Sequence, residues 1–145
     1  MLTTAARARV TLLDHTADLG IEVRAESLDR LFEAAALGIV DVIVDATTVE
    51  VKQSRTLRLT ATDREILLLK LLREIVYVYD TERWLPARVE VHLEDERALV
   101  AELGGEQLDP GRHEVKTEVK AVTYHALEVL ASGAGGFRAR VVLDL

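Results

Sequence analysis

The sequence predicts an α+β fold, a two-layer sandwich in which two main helices pack on a largely antiparallel or mixed β-sheet. Two segments carry apolar residues at helical spacing, six segments alternate apolar and polar residues, and turn-forming residues lie between most of them. One-sided alternation is typical of antiparallel strands with one face on a core and the other in water. We expect one domain over residues 1–145.

The two predicted helices have recognisable first residues. Ser27 can cap the first helix, whose apolar residues recur over four turns from Leu28 to Ile43. Thr62 and Glu65 have the Thr-x-x-Glu spacing of a capping box, and an apolar stripe follows them to Val76. Both helices can therefore cover the apolar face of a sheet.

The strands are predicted where the period changes to two. Alternating segments span 21–25, 57–61, 89–93, 99–103, 119–129 (long or bent) and 137–143. The breaks between strands are predicted at 94–97, 104–105, 109–111 and 133–136, where glycine, proline or charged residues cluster.

Composition narrows the classes of function. The chain has 145 residues, 49% of them hydrophobic, and its 18 basic and 25 acidic residues give a net charge of −7. This charge disfavours wrapping nucleic acid by phosphate neutralisation and docking on an anionic membrane. With no cysteine there is no thiol catalysis, disulfide or Cys-ligated zinc. We expect a cytoplasmic protein, since the first residues lack the apolar core of a secretory signal.

Three segments carry candidate chemistry. In the segment 14–20, Asp14, His15 and Asp18 precede a strand, and their carboxylates could bind a hard cation such as Ca²⁺ or Mg²⁺ or simply form an Asx turn. At the other end, alternation continues to Leu145, which predicts a terminus held in the sheet beside Asp144. Two anions so close require a neutralising cation, whereas a frayed end would bind nothing.

The third segment, 119–125, places polar groups on a strand otherwise suited to burial. Lys120, Tyr124 and His125 could bind a phosphate or a carboxylate, or could belong to a solvated strand face. Simple alternation puts Lys120 and Tyr124 on one face and His125 on the other, unless a bulge intervenes.

Together these motifs resemble the archease family. The resemblance rests on Asp-His-Thr-Ala-Asp-Leu-Gly-Ile at 14–21, Gly-Glu-x-x-Asp at 105–109, Val-Lys-Ala-Val-Thr-Tyr-His at 119–125 and the terminal Leu-Asp-Leu at 143–145. It implies a non-catalytic activator of the RtcB-type RNA ligase of tRNA splicing and RNA repair. Such an activator promotes guanylylation and multiple turnover of the ligase, and tRNA would be a partner only indirectly.

The resemblance also implies site residues. Asp18, Asp144 and the carboxylate of Leu145 would hold a divalent metal, calcium in the first place and magnesium or manganese as alternatives. Lys120, with His15, Tyr124 and His125 from the same motifs, would contact the partner.

Two other functions remain open on sequence grounds. Carboxylates with a bound cation could make a stand-alone metal-dependent phosphoesterase, although His15 is the one clear candidate for a general base. A tRNA-binding chaperone that serves an RNA-modifying enzyme would need a local basic patch within an acidic protein.

Overall fold

The computed structural model describes residues 9–14 and 18–145, with the backbone alone for residues 9 and 12–14. Seven strands and two α-helices follow one another in these ranges. They are β1 (Arg9–Asp14), β2 (Asp18–Ala25), α1 (Leu28–Ile43), β3 (Gln53–Thr60), α2 (Arg64–Glu82), β4 (Trp84–Asp95), β5 (Ala98–Gln107), β6 (Ala121–Ala131) and β7 (Phe137–Asp144). A short 3₁₀ turn at Ala46–Thr48 lies between α1 and β3.

The strands form two antiparallel sheets. Sheet A has the order β1-β2-β7-β6 and sheet B the order β3-β5-β4. The α+β prediction of two helices on antiparallel strands is confirmed, with the strands divided between two sheets. The chain passes from sheet B to sheet A through residues 108–120, which we call the crossover segment.

The helices begin at capping side chains. The Ser27 hydroxyl accepts the Arg30 N–H at 3.2 Å, as predicted. The capping residue of α2 is Asp63 rather than Thr62, and its carboxylate accepts the Ile66 N–H at 2.9 Å. A carboxylate also interacts more favourably than a hydroxyl with the positive end of the helix dipole.

A single apolar cluster joins the two sheets through the helices. Helix α1 packs on β2 and β4, and α2 packs on β6 and β4, so each helix contacts both sheets. Leu71 and Leu72 of α2 are completely buried, as is Phe32 of α1. No helix in the described part of the chain is long and apolar enough to cross a membrane.

The predicted break at 104–105 is wrong, because both glycines lie inside β5. A Cβ on Gly105 would lie 2.0 Å from the Leu85 carbonyl oxygen, and one on Gly104 would lie 2.9 Å from the Arg88 guanidinium. The glycines therefore permit close approach of β4 rather than a turn.

Helix α1 covers the outer edge of sheet B. The Glu33 carboxylate accepts the backbone N–H of Val91 at 2.8 Å, and the Asp29 carboxylate accepts that of Leu93 at 3.1 Å. Both N–H groups belong to the edge strand β4 and point away from β5. One turn of helix thus satisfies donors that an unpaired edge would leave open.

Helix α2 covers the β6 edge of sheet A with positively charged side chains, whereas α1 covers the β4 edge of sheet B with negatively charged ones. The Arg73 guanidinium donates to the Val122 carbonyl at 3.1 Å, and the Arg64 guanidinium donates to the Val129 carbonyl at 2.9 Å. Both carbonyls lie on the edge strand β6. Carboxylates therefore cover donors on one sheet, and guanidiniums cover acceptors on the other.

Candidate functional site

Sheet A brings the start of β2 and the end of β7 together. Asp18, the first residue of β2, lies directly opposite Asp144, the last residue of β7, in the strand register. Ala121 of β6 lies opposite Asp144 on its other side. The Lys120 N–H donates to the Asp144 carbonyl at 2.8 Å, which holds the end of β7 in the sheet.

Strand alternation separates the polar and apolar faces at this position. Leu19, Leu143 and Val122 occupy one face, where Leu143 and Val122 are buried in the core. Asp18 and Asp144 share the opposite face, and both are half-buried. The two carboxylates are therefore attached to facing positions on one rigid sheet.

The donor set at this position fits a hard cation and not a soft one. Within the described ranges, no three side chains of His, Cys, Asp or Glu lie close enough together to hold a metal. Two side-chain carboxylates are available here, and the half-buried Leu145 is adjacent in the chain. Oxygen donors of this kind suit Ca²⁺, Mg²⁺ or Mn²⁺ rather than zinc or copper.

A wide bulge in β6 lies beside the aspartate pair. Thr123 is opposite Val142 and Glu128 is opposite Arg140, so residues 124–127 face only one residue of β7. The bulge includes Ala126 at φ 56°, a left-handed conformation that is unfavourable for alanine. Such features are common next to functional sites, where they redirect side chains.

The bulge exposes two of the predicted partner residues. The Tyr124 side chain is 63% exposed and His125 is exposed beside it. The face assignment by simple alternation does not apply to them, because the bulge interrupts the period. Lys120 lies just before β6 and is exposed. His15, the remaining predicted residue, lies outside the described residues.

A buried polar cluster around Glu106 has no counterpart among the predicted site residues. Its carboxylate accepts hydrogen bonds from the Glu50 N–H at 2.7 Å and from both terminal nitrogens of Arg112. The His113 ring, also buried, lies with Nε2 3.1 Å from the same carboxylate. The Asp109 N–H donates to Nδ1 of His113, so Nε2 carries the proton and donates to Glu106.

These donors keep the Glu106 carboxylate ionised. The Arg112 hydrogen bonds hold the pKa of Glu106 at about 2, well below its ordinary 4.5, against the opposing effect of burial. The Glu50 N–H and the charge of Arg112 act in the same direction. The cluster is a part-buried ion pair, in which the Glu106 carboxylate is buried and well supplied with donors and the Arg112 side chain is 31% exposed.

The cluster anchors the start of the crossover segment that ends at Lys120. The Leu108 N–H donates to the Arg83 carbonyl at 2.6 Å, and the Lys116 N–H donates to the Ile43 carbonyl at 2.7 Å. Val119 is buried immediately before Lys120. The signal for this anchor in the sequence is the Gly-Glu-x-x-Asp motif at 105–109, which by itself does not reveal the contacts of Arg112 and His113.

Comparison with known proteins places this geometry in context. The model of the Archease protein family (MTH1598/TM1083) matches residues 11–145. The protein archease of Pyrococcus abyssi is 38% identical over 135 residues, which is 91% of this chain and 95% of that protein. That of Methanosarcina mazei is 37% identical over 137 residues, covering 92% and 93% of the two chains.

Solved structures agree with this match. The solution structure of Methanobacterium thermoautotrophicum protein 1598 superposes with a TM-score of 0.79 at 36% identity, covering 94% of this chain and 98% of that one. The crystal structure of a Thermotoga maritima archease, described as a possible chaperone, has a TM-score of 0.63 at 20% identity, covering 92% and 94%. The second likeness concerns the fold alone.

Proposed function

This chain belongs to the archease family, and from that premise we propose that it is a non-catalytic activator of an RtcB-type RNA ligase. It promotes guanylylation and multiple turnover of the ligase in tRNA splicing and RNA repair. The observation that carries the proposal is the pairing of Asp18 with Asp144 across β2 and β7, next to Lys120. These groups belong to the motifs by which the sequence resembles the family.

The proposed metal-binding residues are Asp18, Asp144 and the carboxylate of Leu145. Two facing carboxylates on one sheet repel each other, and a divalent cation removes that repulsion. A bound Ca²⁺, Mg²⁺ or Mn²⁺ would supply a positive charge that binds phosphate oxygens. The protein's own contribution is to hold these oxygen donors on rigid strands, beside an exposed cation at Lys120.

Activation requires contact with the ligase near its nucleotide. Lys120 would bind a phosphate or a ligase carboxylate, and the exposed Tyr124 and His125 would pack against the partner. The net charge of −7 suits docking on a basic ligase surface. Because the aspartates and the bulge lie on neighbouring strands, one contact surface can contain both.

Ligase guanylylation tests the proposal. We expect Asp18→Asn and Asp144→Asn to lower the stimulated rate of nucleotide attachment by at least about tenfold, as changes at metal sites commonly do. Glu94→Gln is the matched control, since Glu94 is an exposed carboxylate at the far end of β4 in sheet B. Wild-type stimulation by both aspartate variants would remove the metal site from the mechanism.

Two further measurements separate metal binding and activation from catalysis. Calorimetric titration with Ca²⁺ should give one site in the wild-type protein and none in Asp144→Asn. The protein alone, with Mg²⁺, Mn²⁺ or Ca²⁺, should not hydrolyse phosphoesters. Hydrolysis abolished by Asp18→Asn would instead identify a stand-alone phosphoesterase.

A further inference from the structure

The edge of sheet B formed by β3 is open. The Ala61 N–H donates to the Arg97 carbonyl at 2.9 Å, and the register pairs Thr60 with Ala98. Ala61 and Arg97 therefore form a hydrogen-bonded pair. Because such pairs alternate along an antiparallel ladder, the backbone groups of residues 53, 55, 57 and 59 also point toward β5. The backbone N–H and C=O groups of Ser54, Thr56 and Arg58 therefore point away from the sheet.

Within residues 9–14 and 18–145, no helix covers this edge in the way that α1 and α2 cover the edges at β4 and β6. The Lys70 ammonium donates to the Thr60 carbonyl at 2.7 Å, at one end of the strand. The backbone groups of Ser54, Thr56 and Arg58 have no partner within the described ranges. Three successive outward residues thus present both a donor and an acceptor, the pattern that accepts an added strand.

Strand β3 is held rigidly from its inner face. The Arg55 guanidinium forms two hydrogen bonds with the Glu82 carboxylate, at 2.7 and 3.0 Å, and lies 4.4 Å from the ring centre of the buried Trp84. The Trp84 indole N–H donates to the Gln53 side chain at 2.9 Å. A strand fixed in this way loses little further conformational freedom when another strand pairs with it.

The charge of β3 differs from that of the whole chain. Between Glu50 and Asp63 there are three basic residues and no acidic one, in a protein of net charge −7. Of these three basic residues, Arg58 has no ion-pair partner in the described structure. The Lys52 ammonium, by contrast, lies 3.5 Å from the Glu106 carboxylate, and Arg55 is paired with Glu82. Lys70 adds a further positive charge at the end of the edge.

We propose that the open edge of β3 binds an extended, acidic polypeptide segment of a partner protein as an additional antiparallel or parallel strand of sheet B. Outward backbone groups provide the main-chain hydrogen bonds, and the unpaired Arg58 selects carboxylates. A second copy of this chain is a poorer occupant, since pairing β3 with itself adds cations to cations and brings two acidic molecules together. This surface is distinct from the Asp18–Asp144 site, which lies in sheet A.

The test uses a synthetic peptide in which Glu and Val alternate, and a second peptide with Lys in place of Glu. We expect the Glu peptide to bind with a Kd below about 100 μM at low salt and the Lys peptide to bind at least about tenfold more weakly. Amide hydrogen exchange should slow at Ser54, Thr56 and Arg58 when the Glu peptide binds.

Two pairs of variants separate backbone pairing from charge. Thr56→Pro removes an outward N–H without touching the ladder to β5 and should weaken binding by about tenfold. Thr56→Val is its control, because it loses the same hydroxyl bond to Glu102 but keeps the N–H, and it should bind as the wild type does. Arg58→Glu, which leaves the backbone intact, should reverse the preference between the two peptides.

Three results would overturn the proposal. They are equal binding of the Glu peptide by Thr56→Pro and the wild type, slowed exchange at strands other than β3, and a dimer in sedimentation that Thr56→Pro dissociates. The last result would assign the edge to a second copy of the chain. No ligase is used, so the outcome is independent of the proposed activation.

Discussion

At the scale of single residues, Glu106 shows how one buried carboxylate organises a segment without regular structure. It binds Arg112 and His113 of the crossover segment and the Glu50 backbone before β3. Removing one partner of a buried ion pair leaves the other charge uncompensated, which costs more than the loss of an exposed pair. Because its carboxylate is buried, Glu106 should contribute more to the free energy of unfolding than an exposed carboxylate would.

We expect Glu106→Gln to lower the free energy of unfolding by about 2–3 kcal/mol near pH 7. The folded-state pKa of Glu106, about 2, is below its ordinary 4.5. Its stabilisation is therefore complete above about pH 4.5 and is lost as the pH falls toward 2. Urea denaturation between pH 7 and pH 2.5 should show a constant difference between wild type and variant above about pH 4.5 and a shrinking one below it.

Glu102→Gln is the control for that measurement. Glu102 lies on the same strand, but it is exposed and accepts only the Thr56 hydroxyl. Its replacement should change stability by a few tenths of a kcal/mol at most, at any pH. A difference for Glu106→Gln that stayed constant down to pH 2.5 would show that these contacts do not depress the pKa of Glu106.

At the scale of elements, the two helices act as covers for sheet edges as well as walls of the core. Glu33 is 3% exposed, and its carboxylate joins the Arg30 guanidinium to the Val91 N–H of β4. We expect Glu33→Ala to cost about 1–3 kcal/mol, because it leaves a donor of the edge strand unpaired. The rate of amide hydrogen exchange at Val91 should rise by a factor that corresponds to this loss of stability.

Glu33→Gln tests whether the acceptor or the charge matters at this edge. The amide oxygen of glutamine can still accept the Val91 N–H, so exchange at Val91 should return most of the way to its wild-type rate. Unchanged exchange in Glu33→Ala would contradict the role of the helix in covering β4.

The sequence predicts elements well where the pattern is local and poorly where the cause is remote. Ser27 and the apolar periods locate both helices because caps and amphipathic stripes are properties of neighbouring residues. The break predicted at Gly104 and Gly105 is wrong, because the crowding by Leu85 and Arg88 that requires glycine there comes from another strand. The position and length of the bulge at 124–127 could not be predicted from the sequence either, because the register depends on the partner strand.

In the candidate site, too, local patterns are predictable from the sequence and contacts between distant segments are not. Alternation up to Leu145 predicts a terminus held in the sheet, and β7 ends at Asp144, one residue before Leu145. Its pairing with Asp18, which is distant in sequence, follows from the order of strands in sheet A and not from any local pattern. The resemblance of the motifs supplied that link, and the part played by a metal there stays a prediction.

At the scale of the whole molecule, two sheets share one core through α1 and α2, and none of the described strands of one sheet is hydrogen-bonded to a strand of the other. We therefore expect cooperative unfolding in which both sheets are lost together. Leu72 is completely buried in α2, and Leu72→Ala should lower stability by about 2–5 kcal/mol. Leu130→Ala, at a position 41% exposed on β6, is the control and should change it far less.

Two probes can follow the sheets separately during that unfolding. The single tryptophan, Trp84, reports on sheet B by fluorescence, and amide exchange at Val141 in β7 reports on sheet A. Because each helix packs on both sheets, Leu72→Ala should shift the two transitions by the same amount. A shift at Trp84 without one at Val141 would mean that sheet A is an independent unit, and the site at Asp18 and Asp144 could then persist after sheet B had unfolded.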